Sequence, residues 1–180
     1  IQGELEAALR VLAGAPVRVH GSGRTDAGVH AHGQVAHCDV PDAKAGLRWQ
    51  RSLNALLPPE IRILAAEPAA ADFHARKDAL RKTYVYQFWQ ERAFVPPQLA
   101  PFVWHCGPLD VEAMRAALPH LLGEHDFAGL QNAGTDMEST TRTVFRAELD
   151  IPPPCEFYPP HAPGLRLTVT TNGFLKQMVR

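Results

Sequence analysis

The sequence predicts an α+β fold, with a mixed, mostly antiparallel sheet flanked by helices. Three observations carry that expectation. Thr83 to Trp89 alternates with period two, placing Tyr84, Tyr86 and Phe88 on one face of a strand rich in β-branched and aromatic residues. Thr141 to Ile151 and Leu165 to Thr171 read as two more strands, joined by a proline-rich stretch. Other segments carry apolar residues at helical spacing and end on glycine or proline.

Taken in order, Ile1, Leu5, Ala8, Leu9 and Leu12 fall on one helical face, and Gly14 with Pro16 stops that helix. A short strand over Val17 to His20 follows, then a loop from Gly21 to Gly28 and a strand within Gln34 to Val40. Leu47 to Leu57 suits a helix, closed by Pro58 and Pro59 because proline lacks the N–H that a further turn needs. Ile61 to Ala66 is expected as a strand. Asp110 caps a helix reaching about Leu122, with Gly123 closing it. Between the last two strands, Ile151 to Pro163 is read as a hairpin loop rather than a linker, since strands flank it. The order is roughly αββαββ, then βαββ and a terminal helix. It fits one domain over residues 1–180, with possible lobes at 1–78 and 79–180.

Of the 180 residues 46% are hydrophobic and 21% charged, which is enough for a packed core and unlike a disordered chain. No apolar run is long enough to span a bilayer, and the N-terminus lacks the basic-then-apolar signal pattern, so a cytoplasmic protein is expected. Cys38, Cys106 and Cys155 are an odd number without C-x-x-C spacing; they read as buried thiols, not a disulfide framework or zinc ribbon. The chain starts at Ile1 inside a helical pattern and stops at Arg180 inside an apolar one, as expected of a piece of something longer. The formal net charge of −1 argues weakly against nucleic-acid binding. Charge is segregated, however, with acids in stretches such as Glu124–Asp126 and cations such as Arg76, Lys77, Arg81 and Lys82 elsewhere, so a basic face is compatible with that balance.

The loop Gly21-Ser22-Gly23-Arg24-Thr25-Asp26-Ala27-Gly28 carries three glycines in eight residues. It matches neither common phosphate-binding template. Asp26 stands where G-x-G-x-x-G needs its last glycine, and Val29 and His30 follow Gly28 where a P-loop needs Lys and Ser or Thr. What remains is an Arg and an Asp two residues apart. A cation beside a carboxylate keeps it ionised. That leaves a structural Arg–Asp pair in a turn open beside a functional carboxylate. Nine histidines invite a metal reading, but His30, His32 and His37 come with no H-E-x-x-H, no C-x-x-C pair and no carboxylate cluster; no metal is expected.

The string Gly23-Arg24-Thr25-Asp26-Ala27-Gly28-Val29-His30-Ala31 resembles the signature loop of tRNA pseudouridine synthases of the TruA type. Four further stretches fall in that family's order: Asp72-Phe73-His74-Ala75-Arg76, Lys82-Thr83-Tyr84-Val85-Tyr86, Gly123-Glu124-His125-Asp126-Phe127 and Phe174-Leu175-Lys176-Gln177-Met178-Val179-Arg180. The resemblance covers essentially the whole chain. Leu130 departs from it, standing where an aromatic residue commonly ends the motif begun at His125. The family's opening strand would precede Ile1, and further helix and strand would follow Arg180.

The resemblance implies a pseudouridine synthase-like catalytic fold and isomerisation of uridine to pseudouridine in the anticodon stem-loop of tRNA, with no metal or organic cofactor. It implies that Asp26 is the catalytic residue, as nucleophile or base on a flipped-out uridine. It gives substrate-binding roles to Tyr84, whose ring would pack on the base, to Arg24, which would fill the vacated space or hold a phosphate, and to Arg180, which would pair with the aspartate. A homodimer is implied as well. Arg24, Arg76, Lys77, Lys82 and Arg180 are expected to line one cleft, because a near-neutral protein holds a polyanion only by gathering its cations. Two competitors are an RNA-binding module without catalysis and a glycosidase pairing Asp26 with Asp39 or Asp42.

Overall fold

A computed structural model of the chain describes residues 1–132, 134, 139–152 and 164–179. The chain divides into two compact units, Ile1–Ala79 and Leu80–Arg180.

In the first unit, α1 spans Gln2–Ala13 and ends as its sequence dictates. Gly14 takes a left-handed φ of 77° and returns its N–H to the Arg10 carbonyl, a conformation that glycine adopts without a Cβ penalty. Buried Ala8, Leu9 and Ala13 pack with Val17, Val19, Leu53 and Leu57, so α1 and the second helix, α2 (Trp49–Leu56), share one core. Ladder pairing in this unit is shorter than the sequence suggests. Strand β1 is only His20–Gly21, β2 only Ala36–His37, and they pair antiparallel, His20 opposite His37 and Gly21 opposite Ala36.

The strand expected over Ile61 to Ala66 does not form. Ile61 and Ile63 still pack against the core, but a helix side chain takes the place of a neighbouring strand. The Asn54 amide donates to the Ile63 carbonyl at 2.9 Å and accepts from the Ile63 N–H at 2.7 Å. Gln50 of the same helix donates to the Leu64 carbonyl.

The second unit is built on a five-stranded sheet. With β3 at Lys82–Trp89, β4 at Trp104–His105, β5 at Gly123–Asp126, β6 at Thr141–Asp150 and β7 at Gly164–Thr171, the order is β4-β3-β7-β6-β5. The β3–β4 pair is parallel and the rest are antiparallel, as a mixed, mostly antiparallel sheet requires. Residues facing each other across a ladder share a face. Tyr84, Tyr86 and Phe88 therefore lie with Val169, Leu167 and Leu165 on an apolar face. The opposite face, which also carries Val85 and buried Trp89, holds polar pairs: the Thr83 and Thr170 hydroxyls meet at 2.9 Å, and Arg166 grips Asp150 through two hydrogen bonds of 2.8 and 3.0 Å.

Asp110 caps α3 (Val111–Ala117), accepting the Ala113 N–H at 2.9 Å. The expected run to Leu122 changes character at Leu118–Leu121, where Pro119 tightens the helix into a 3₁₀ turn. Leu121 there joins a core of Phe127, Val144, Val169 and Leu175. Gly123, at φ 96°, does more than close the helix: it opens β5. The register slips by one residue between Val144 and Arg146, a β-bulge that leaves Phe145 exposed beneath the Arg81 guanidinium, 4.6 Å from the ring centroid.

β6 and β7 are antiparallel neighbours; the hairpin loop expected between them falls largely on residues 153–163, Cys155 included, which lie outside the described ones. The terminal helix is not seen among the described residues. Turns follow Phe174, and Gln177 takes a left-handed φ of 64° that a helix cannot continue through. Of the expected buried thiols, Cys38 and Cys106 are both half-buried and free. Burial, aided by Asp39, pushes the Cys38 thiol up from its ordinary value, which makes it a poor nucleophile.

Candidate active site

The glycine-rich loop is anchored at both ends of a small frame. Gln34 spans it, its amide donating to the Gly23 carbonyl, while the Ser22 N–H reaches the Val35 carbonyl at 2.8 Å. Gly21 leaves a side chain little room: a Cβ there would stand 3.2 Å from the Gly23 carbonyl oxygen, closer than an ordinary van der Waals contact. The loop then turns back on itself. The Val29 N–H donates to the Asp26 carbonyl at 3.0 Å, with Gly28 at φ 78° in the third position of the turn, a place that requires a positive φ.

Asp26 is therefore the first residue of a tight turn, and its side chain is exposed. Arg24 is exposed too. Four ion pairs occur among the described residues, joining Arg18 to Glu6, Arg115 to Glu112, Arg146 to Glu148 and Arg166 to Asp150. None involves Arg24 or Asp26. The alternative of a structural Arg–Asp pair holding the turn thus has no bond to rest on. The backbone hydrogen bond and Gly28 make the turn, and neither charged side chain forms an ion pair among the described residues.

Beside the loop stands a cluster that the sequence spacing concealed. The rings of His20 and His37 stack at 5.1 Å, and His74 lies 4.7 Å from His37 and 6.1 Å from His20. The three come from positions 20, 37 and 74, and only the β1–β2 pairing puts the first two side by side. The reading that weighed His30, His32 and His37 as a local group therefore missed it. Its ring nitrogens serve backbone: His37 Nδ1 accepts the Ala75 N–H at 3.1 Å, and His74 Nδ1 accepts from Arg76 and Lys77 at 3.2 and 3.4 Å. Among the described residues no group of three or more His, Cys, Asp or Glu side chains is placed to hold a metal ion.

In the second unit, Tyr84 is half-buried on β3, its ring meeting Phe174 edge-on at 4.4 Å. Lys82 is half-buried at the start of the same strand. The motif from Gly123 to Phe127 comes to the same end of the sheet. Asp126 accepts the Ala128 N–H at 2.9 Å and the Thr140 hydroxyl, which together hold its carboxyl below the ordinary aspartate range, the hydroxyl being the larger cause. The turn so fixed delivers the Asn132 N–H to the Lys176 carbonyl at 3.1 Å, tying it to the segment that carries Phe174. Three of the stretches singled out in the sequence thus converge around Tyr84 through contacts that no single stretch reveals. Of the five expected cleft cations, Arg24, Arg76 and Lys77 are exposed in the first unit, Lys82 belongs to the second, and Arg180 lies outside the described residues.

Comparison with known proteins agrees with these motifs. A family model described as tRNA pseudouridine synthase matches residues 117–180. A protein named tRNA pseudouridine synthase A from Nitratidesulfovibrio vulgaris is 49% identical, over 100% of this chain and 72% of its own length. One of the same name from Oleidesulfovibrio alaskensis is also 49% identical, over 100% and 67%. A more distant relative from Geobacillus kaustophilus, again so named, is 40% identical over 100% and 67%. With identity of 40% to 49% over 100% of this chain, the chain belongs to the tRNA pseudouridine synthase family.

Proposed function

We propose that residues 1–180 form one catalytic domain in two lobes, which isomerises uridine to pseudouridine in the anticodon stem-loop of tRNA with Asp26 as the catalytic residue. The observation that carries this reading is an exposed carboxylate with no ion pair among the described residues. It is held at the head of a Gly28 turn, in a chain whose relatives are named tRNA pseudouridine synthase A.

The reaction gains and loses no atoms overall. The N1–C1′ bond breaks, the uracil turns, a C5–C1′ bond forms, and the proton displaced from C5 is balanced by one taken up at N1. One ionised carboxylate suffices. It attacks C1′ and is later displaced, or it removes a ribose proton to give a glycal and then returns it. Both routes require the uridine to leave its stack. Arg24, two residues from Asp26, suits the vacated space or a neighbouring phosphate, since a guanidinium is planar and always charged. Tyr84 is read as the platform for the extruded base, and the edge-on Phe174 contact supports that role by fixing the ring's tilt. Arg180 is assigned, by family resemblance, to keeping the aspartate ionised. We infer a cytoplasmic homodimer; among the described residues no helix is long and apolar enough to cross a membrane.

The test is to incubate the chain with a tRNA transcript carrying tritium at uridine C5 and to map the product. Tritium should be released, with pseudouridine confined to the anticodon stem-loop. Pseudouridine elsewhere would refute the assigned substrate region. Tight tRNA binding without tritium release would favour the RNA-binding module.

A further inference from the structure

The histidine cluster has no part in the chemistry just described, yet it sits at the root of the Asp26 loop. His20 and Gly21 form β1, from which the loop departs, and His37 lies directly across the ladder from His20. His37 reaches out of this strand pair to the turn at residues 74–78, taking the N–H of Ala75, a residue only 3% exposed. That turn is closed on itself. The His74 N–H donates to Asp78 Oδ2 at 2.7 Å, and the Asp78 N–H returns to the His74 carbonyl at 3.0 Å. His74 Nδ1 gathers the next two N–H groups, those of Arg76 and Lys77. Phe73 meets the His37 ring edge-on at 6.0 Å. The side chains of Arg76 and Lys77 are exposed and form no ion pair among the described residues.

We propose that His37 and His74 are positioning residues for substrate binding, whose bare Nδ1 atoms clamp the 74–78 turn so that Arg76 and Lys77 present a fixed pair of cations to tRNA phosphates. The inference rests on the reading of the chain as a tRNA-modifying enzyme and adds to it a site and a protonation requirement. Each Nδ1 acts only as an acceptor, so each ring carries its proton on Nε2. A proton added at Nδ1 would set donor against donor and release the turn. Near the cluster, the charge of His20 helps to lower the Glu6 carboxyl, Asp78 closes the turn beyond His74, and Arg76 and Lys77 contribute their backbone N–H groups. Among the described residues no hydrogen bond to the His37 or His74 ring comes from a carboxylate. Acid therefore opposes the clamp.

The sign of this effect is diagnostic. Protonating histidines on an RNA-binding surface would ordinarily strengthen binding, because it adds positive charge. Here acidification should weaken it. In the unsubstituted protein, tRNA affinity measured by filter binding at constant salt should fall as histidines become protonated, and that fall should vanish in the Arg76→Ala, Lys77→Ala double variant. His37→Ala should weaken binding about tenfold, lowering kcat/KM far more than kcat at saturating tRNA. It should also flatten the slope of log K against log salt by about one to two units, the signature of lost phosphate contacts. His37→Asn, which keeps an acceptor near the Nδ1 position, should restore much of the affinity. In the double-variant background His37→Ala should add nothing, because its effect runs through those two cations.

Affinity that rises on acidification in the unsubstituted protein would overturn the proposal without any variant having to fold. So would an unchanged salt slope in a folded His37→Ala, or additivity of the three substitutions. Tritium release by the unsubstituted chain is read in the same samples. Its absence would refute the proposed activity while leaving the binding comparisons intact.

Discussion

At the scale of single residues, Asp26 and Asp126, two of the carboxylates in the recognisable motifs, are put to opposite uses. Asp26 is left open, whereas Asp126 is consumed by its neighbours: the Thr140 hydroxyl and the Ala128 N–H both bind its charged form. These bonds lower its pKa from the ordinary 3.8, the hydroxyl contributing most. A carboxyl whose folded pKa is depressed stabilises the fold at pH values above the unfolded pKa. That contribution is lost as pH falls through the folded value. Unfolding by urea should therefore show a loss of stability on the acid side of pH 3.8. Thr140→Val should lower stability at neutral pH and shrink the acid-side loss, so that the two curves converge in strong acid. Curves that remained parallel would show that Asp126 is not the group responsible. Asp26 and Arg24 were legible in the sequence because nine consecutive residues carry their signature. The histidine cluster was not, because its members are 17 and 37 positions apart and meet only through the β1–β2 pairing and the turn at 74–78.

At the scale of elements, segments with a local cause came out as the sequence implied. Gly14 ends α1, Asp110 starts α3, and the aromatic alternation of β3 becomes one face of a sheet. Those without a local cause did not. The segment from Ile61 to Ala66 has the composition of a strand, but pairing needs a partner of matching length, and in the first unit the α2 side chains supply its bonds instead. Asn54→Ala would leave both the N–H and the C=O of Ile63 without their partner. It should cost about 2 kcal/mol of stability in urea unfolding, since each half-buried group loses a hydrogen bond and keeps its desolvation penalty. A variant as stable as the parent would mean that water replaces the amide at no cost. The β6 bulge and the 3₁₀ turn at Pro119 belong to the same class, being set by packing and by one proline inside a longer apolar pattern.

At the scale of the whole molecule, the near-zero net charge is a poor guide to partners, because it averages unlike regions. Acids are bound up in caps and cross-strand pairs, as at Asp110, Asp126 and Asp150, while Arg24, Arg76 and Lys77 remain exposed and outside every ion pair described. Fold class and family were legible because several motifs recur in order along the chain. The two compact units, Ile1–Ala79 and Leu80–Arg180, meet along the chain within a residue of the boundary between the possible lobes 1–78 and 79–180 read from the sequence. The central claim is that one carboxylate, held open by a glycine turn, carries the isomerisation. Asp26→Asn tests it most directly, because the change keeps the side chain's shape and removes only its charge and its capacity to act as nucleophile or base. Tritium release from uridine C5 and filter binding of the same tRNA should be followed in parallel. The account predicts that release falls by at least about a hundredfold while tRNA binding is retained or strengthened, the loss of a negative charge favouring the polyanion. Near-normal tritium release from a folded Asp26→Asn protein would contradict it.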